Sequence, residues 1–74
     1  MSIDKIFWEN TAAIQRKMNL TDREIDQVLP QLWNGQNTFA QMKERENLPS
    51  GIMIDWIAEI LKINDYTVFF KPVN

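Results

Sequence analysis

Cysteine and histidine are both absent from the 74 residues, and their absence excludes most site chemistry. Without thiols there is no disulfide framework and no cysteine nucleophile, and a zinc site would have carboxylates alone to draw on. Glycine occurs twice and proline three times, so the chain has few places to break. No apolar run approaches the roughly 18 residues of a membrane span. The opening Met1-Ser2-Ile3-Asp4-Lys5 lacks the charged-then-apolar layout of a signal peptide. A cytoplasmic protein without membrane contact is expected. Positive charge is also short: eight Lys+Arg face ten Asp+Glu, a net charge of −2. Lys and Arg supply most non-specific affinity for nucleic acid, so nucleic-acid binding starts at a disadvantage.

What is present is a hydrophobic fraction of 45% with 11% aromatic residues, enough for one small core. The whole span 1–74 therefore reads as a single domain. A chain of this size buries only about 60% of the surface its unfolded form exposes, which leaves stability marginal unless a partner adds to it. A binding module is expected in preference to an enzyme, with no cofactor and no metal.

Punctuation at Asn19, at Pro30 to Asn37, at Asn47 to Gly51 and at Asn64-Asp65 divides the chain into five pieces. The first places Ile3, Ile6, Phe7, Ile14 and Met18 at three- and four-residue steps, the stripe of an amphipathic helix. The second opens on Thr21-Asp22-Arg23-Glu24, a capping-box pattern, and Ile25, Val28 and Leu29 form its inward face. Pro30 lacks an amide and biases Leu29 away from helical dihedrals, so this helix is expected to stop near Val28 or Leu29. Asn34-Gly35 marks a loop. Asn37 or Thr38 then caps a third helix, with Gln41 as the returning partner and Phe39 and Met42 inward.

Ser50 offers the next cap, after Pro49. Ile52, Met53, Ile54, Trp56, Ile57, Ala58, Ile60 and Leu61 cover most of the following helix, the mark of a central one. Tyr66 to Phe70 favours a strand by composition, whereas Asn64-Asp65 would cap a helix; a short helix is preferred. The fold expected is all-α, a compact four- to five-helix bundle with a helix-turn-helix whose turn is lengthened.

The residue order carries a resemblance. Ile14 to Pro30, Ile-Gln-Arg-Lys-Met-Asn-Leu-Thr-Asp-Arg-Glu-Ile-Asp-Gln-Val-Leu-Pro, resembles the end of the first helix and the whole second helix of the Cro and phage-repressor (Xre-type) family. Thr38-Phe39, Pro49-Ser50, Ile57-Ala58 and Leu61 then fall where that family has Thr-Ile, Pro-Ser, Ile-Ala and Leu, so the likeness runs over residues 7 to 70. The departures are local. Asp22 stands in place of a Gln that meets phosphate and base, Asp26 in place of a small Ala facing the third helix, and Pro30 in place of the turn Gly. Three extra residues lie between Pro30 and Asn37.

In that family the second and third helices read DNA. Here Arg23, Lys43 and Arg45 stand on them against Asp22, Glu24, Asp26, Glu44 and Glu46, a local excess of two negative charges. In length, fold and acidity the chain resembles the modulator-of-repression antirepressors of temperate phages of lactic-acid bacteria. That resemblance implies a small regulator whose acidic face binds the DNA-binding domain of a cognate repressor and blocks operator binding. The alternative is a Cro-like protein binding operator DNA directly. Gln36, Asn37, Thr38 and Gln41 would then read base edges while Arg16, Lys17, Lys43 and Arg45 hold the backbone. The partner-facing residues implied are Asp22, Arg23, Asp26, Trp33, Gln36, Asn37, Thr38, Gln41 and Arg45, in either case with room for a homodimer.

Structural explanations stand beside these. Asp22 suits the first turn of a helix, whereas Asp26 is given the interaction role. Trp33 is either an interface anchor or a lid folded over Leu32. Trp8, beside Phe7 and off the stripe, reads as a partly buried edge residue, and Trp56 as core. Met18, Met42 and Met53 read as core fillers, and of Phe69 and Phe70 one is expected to face inward. The i, i+4 pair of Asp22 and Asp26 reads as a solvated face, not as an acid–base pair.

Overall fold

Four α-helices and a terminal 3-10 helix make up the computed structural model, which describes residues 2–32 and 38–72, the side chains at 30–32 excepted. The helices are α1 (Ile3–Met18), α2 (Asp22–Leu32), α3 (Phe39–Arg45) and α4 (Gly51–Ile60), and the 3-10 helix is Tyr66–Phe69. No strand occurs among the described residues, so the terminal piece resolves in favour of the short helix. It is capped as the sequence suggests: the Asp65 carboxylate accepts from the Thr67 amide at 3.1 Å. Α2 packs against both α3 and α4, and α1 packs against the 3-10 helix.

The start and stop signals are local. Ser2 caps α1 by accepting from the Lys5 amide, and α1 ends where Asn19 turns left-handed at φ 55°. The Leu20 amide then reaches back to the Gln15 carbonyl at 2.9 Å, the closure of a Schellman motif. Lys62, at φ 58°, repeats that device after α4, with Ile63 donating to the Ala58 carbonyl. Ser50 is the N-cap of α4, yet its hydroxyl makes no capping bond.

The core is Phe7, Trp8, Ile25, Leu29, Phe39, Met53, Ile57, Ala58, Leu61 and Phe69. Its centre is aromatic: Phe7 meets Trp8 edge-on at 5.0 Å, Trp8 meets Phe39 at 5.4 Å, and Phe69 lies 5.0 Å from Phe7. Phe69 is the inward one of the terminal pair, with Phe70 half-buried beside it.

Several expectations need correction. The buried stripe of α1 is Phe7, Trp8, Thr11 and Gln15, whereas Ile3 and Met18 are exposed. Polar residues can take the inward positions because each finds a partner. The Thr11 hydroxyl donates to the Phe7 carbonyl at 2.8 Å, and Gln15 bonds to α2 and α3. Trp8 is no edge residue: it is 3% exposed, and its indole N–H donates to the Asn47 carbonyl at 2.8 Å. Met42 is half-buried against the core and Met53 is within it. Val28 is exposed, because the 3.6-residue period turns it off the face that Ile25 and Leu29 share.

Α2 also runs past Pro30 to Leu32. A proline there forfeits the helical bond to the Asp26 carbonyl, but the fully buried Ile25 and Leu29 fix the turns that precede it, and tertiary packing overrides the local preference. Finally, α4 is not enclosed. It buries Met53, Ile57 and Ala58, half-buries Trp56, and leaves Ile52 67% exposed.

Candidate functional site

The second and third helices carry the residues singled out in the sequence, and their positions are fixed by their own caps. At the start of α2 the Thr21 hydroxyl accepts from the Glu24 amide at 3.1 Å, while the Glu24 carboxylate accepts from the Thr21 amide at 3.0 Å. Both bonds of a capping box are thus made. The Thr21 amide, and then its hydroxyl, hold the Glu24 carboxyl below its ordinary range.

Α3 has only seven residues, too few to persist alone, so its amino end matters. Thr38 accepts from the Gln41 amide and donates its own amide to the Gln41 side chain, a second complete capping box. The two remaining amides of the first turn, those of Phe39 and Ala40, donate to the Asp26 carboxylate on α2. Asp26 therefore faces α3, as the resemblance in register implies, but its carboxylate is a cap delivered from the neighbouring helix.

Asp22 belongs to a second junction. Its carboxylate accepts from the Gln15 side-chain amide at 2.8 Å and from the Lys43 ammonium at 3.0 Å, and Lys43 also donates to the Gln15 oxygen at 3.1 Å. One residue each from α1, α2 and α3 closes this triangle. Partial burial works to raise the Asp22 pKa, but hydrogen bonds from Gln15 and Lys43, with the charge of Lys43, outweigh it and hold the carboxyl below its usual 3.8. An open cleft of about 370 Å³ lies over the junction, with Arg16 on its wall.

The sequence-derived residues thus separate into groups. Asp22, Asp26, Thr38 and Gln41 hydrogen-bond within and between the helices, and the side chains of Arg23 and Arg45 are accessible to solvent. Trp33, Gln36 and Asn37, together with the lengthened turn, fall outside the described residues. Around the joined groups the exposed charges are Arg23 and Arg45 against Glu24, Glu44 and Glu46, which leaves the face negative by one. Two residues of the site went unassigned to it from sequence in these roles, Gln15 and the paired Lys43. Gln15 had a signal: with Trp8 and Thr11 it lies at i, i+3 and i+7 on one side of α1.

Among the described residues no group of three or more acidic side chains converges on a metal position, and no helix is long and apolar enough to cross a membrane. No family model, curated protein or solved structure matches the chain.

Proposed function

We propose that this protein is an antirepressor, a small regulator whose α2–α3 face binds the DNA-binding domain of a cognate repressor in place of operator DNA. The observation that carries the reading is the closure of both helix amino ends by carboxylates. At α2 the Glu24 carboxylate takes the Thr21 amide, and at α3 Asp26 occupies the amides of Phe39 and Ala40. A DNA-reading helix-turn-helix offers such ends, with Lys and Arg, to phosphates. A duplex laid here would set phosphates against Asp22, Glu24 and Asp26. The exposed Glu24, Glu44 and Glu46 complement a basic protein surface.

Operator reading by Thr38 and Gln41 has less to draw on, because those two side chains cap one another. The deciding experiment adds the protein to a labelled operator held by a basic helix-turn-helix repressor. Release of free operator and a repressor complex on size exclusion are expected. A ternary complex that retains DNA would refute the competition. So would saturable operator binding by this chain alone with a steep salt dependence.

A further inference from the structure

On the far side of α1 from the Gln15–Asp22–Lys43 junction lies a second concavity, of about 460 Å³, between α1, the end of α4 and the 3-10 helix. At roughly 100° per helical residue, Ala13, Ile14 and Lys17 point away from Ala12, Gln15, Arg16 and Asn19, so the two concavities sit on opposite faces of one helix. The floor is apolar: Ile14, Met18, Ile63 and Val68 line it, and Met18 is 39% exposed. Its walls are tied together by Asn10 of α1, whose side-chain amide donates to the carbonyls of Phe69 at 2.9 Å and Lys71 at 2.8 Å. The two titratable side chains among those lining it are both lysines, Lys17 and Lys71, on a chain whose net charge is negative. Lys71 has Asp65 in its field; Lys17 makes no ion pair among the described residues.

We propose that this groove is a second docking site, independent of the α2–α3 face, for an acidic amphipathic helix of a partner protein. The groove is open to solvent, which suits a helix laid across it with a few apolar side chains inserted better than a small molecule, which needs most of its surface enclosed. Exposed, unbranched Met18 lets the floor adapt to the inserted side chains. Lys17 and Lys71 select the occupant: carboxylates flanking the apolar stripe meet two ammonium groups, whereas a basic helix meets repulsion.

The test uses the full chain and a synthetic helical peptide with Leu at i, i+3 and i+7 flanked by Glu, followed by methyl NMR. Saturable shifts at Ile14, Met18, Ile63 and Val68 are expected, with the signals of α2 and α3 unmoved. Replacing each Glu of the peptide by Lys is expected to abolish them, and Lys17→Glu, one charge at the solvent-exposed rim, to weaken binding about tenfold through slower association. Lys17 is exposed, so the variant is expected to keep its helical circular dichroism, and Met18→Asp supplies a second lesion in the floor. Absence of saturable binding would overturn the proposal. Equal binding of the Lys peptide would do the same, as would decanoate filling the groove where the Glu peptide does not. Concentration-dependent shifts of the same methyls without peptide would assign the groove to a second copy of the chain instead.

Discussion

The two ends of α1 are built on different physics. Its amino-terminal half ends in an aromatic cluster, Phe7 and Trp8 against Phe39 and Phe69, where the edge-to-face pairs Phe7–Trp8 and Trp8–Phe39 add about 0.5–1.5 kcal/mol each to area burial. Its carboxy-terminal half ends in the Gln15–Asp22–Lys43 triangle, with Gln15 buried and Asp22 and Lys43 partly exposed, bordered by open concavities on both faces of the helix. The aromatic contacts gather at one end and the open concavities at the other. In a short chain that division matters, because a substitution beside the concavities touches less of the small core on which stability rests.

The comparison breaks if the aromatic end is dispensable. Phe7→Ala removes the ring that touches Trp8, Phe69 and Phe70, and a loss of about 3–5 kcal/mol is expected. In a domain of this size that approaches the whole stability, so urea unfolding followed by circular dichroism is expected to show little or no folded baseline. Trp8→Phe is a milder cut. It keeps a ring but leaves the Asn47 carbonyl without its indole donor, and a loss of about 1–2 kcal/mol is expected in the same measurement.

Asp26 sharpens the comparison because it lies on the proposed α2–α3 face while capping α3. Asp26→Ala orphans the Phe39 and Ala40 amides, and a loss of about 1 kcal/mol is expected, the usual cost of a lost cap. Hydrogen exchange on α3 is the more direct readout: protection is expected to fall there and to persist at Phe7 and Phe69. Glu44→Lys on the same face, where the side chain is exposed, is expected to leave unfolding unchanged and to slow association with a basic partner.

How much of this could be read from the sequence follows the reach of each interaction. Both capping boxes were legible, Thr21 with Glu24 and Thr38 with Gln41, because they are written within four residues. The Asp65 cap was legible for the same reason. Trp8 was not, since its acceptor is the carbonyl of Asn47, 39 residues away. Apolarity alone puts Ile3 and Met18 on the inward stripe of α1, whereas Thr11 and Gln15 are buried by virtue of partners that exist only after folding. Pro30 was read by its local preference, which the burial of Leu29 overrides. At the candidate site the acid count was legible, but not which acids are engaged: Asp22 and Asp26 act on α1 and α3, distant in sequence, while Glu44 and Glu46 remain at the surface.

Among the contacts that hold the fold, the smallest expected effect belongs to the triangle. Asp22 is 39% exposed and Lys43 28%, so solvent screens the pair, and a double-mutant cycle is expected to return well under 1 kcal/mol. Its sign with pH is nevertheless definite. The folded carboxyl titrates below 3.8, the unfolded one at about that value, so the unfolded state binds more protons in between. The contribution is therefore complete above pH 3.8 and is lost as the pH falls through the lower folded value. Glu24 and Asp65, also held low, titrate in the same acid range, so the acid slope of the wild type alone does not isolate Asp22. Lys43→Met does: it removes the ammonium and leaves Gln15 as donor, so the Asp22 carboxyl resonance is expected to titrate at higher pH while those of Glu24 and Asp65 stay in place. An Asp22 midpoint unmoved by Lys43→Met would place the depression in the Gln15 bond alone, and the junction would then tie α1 to α2 without electrostatic help from α3.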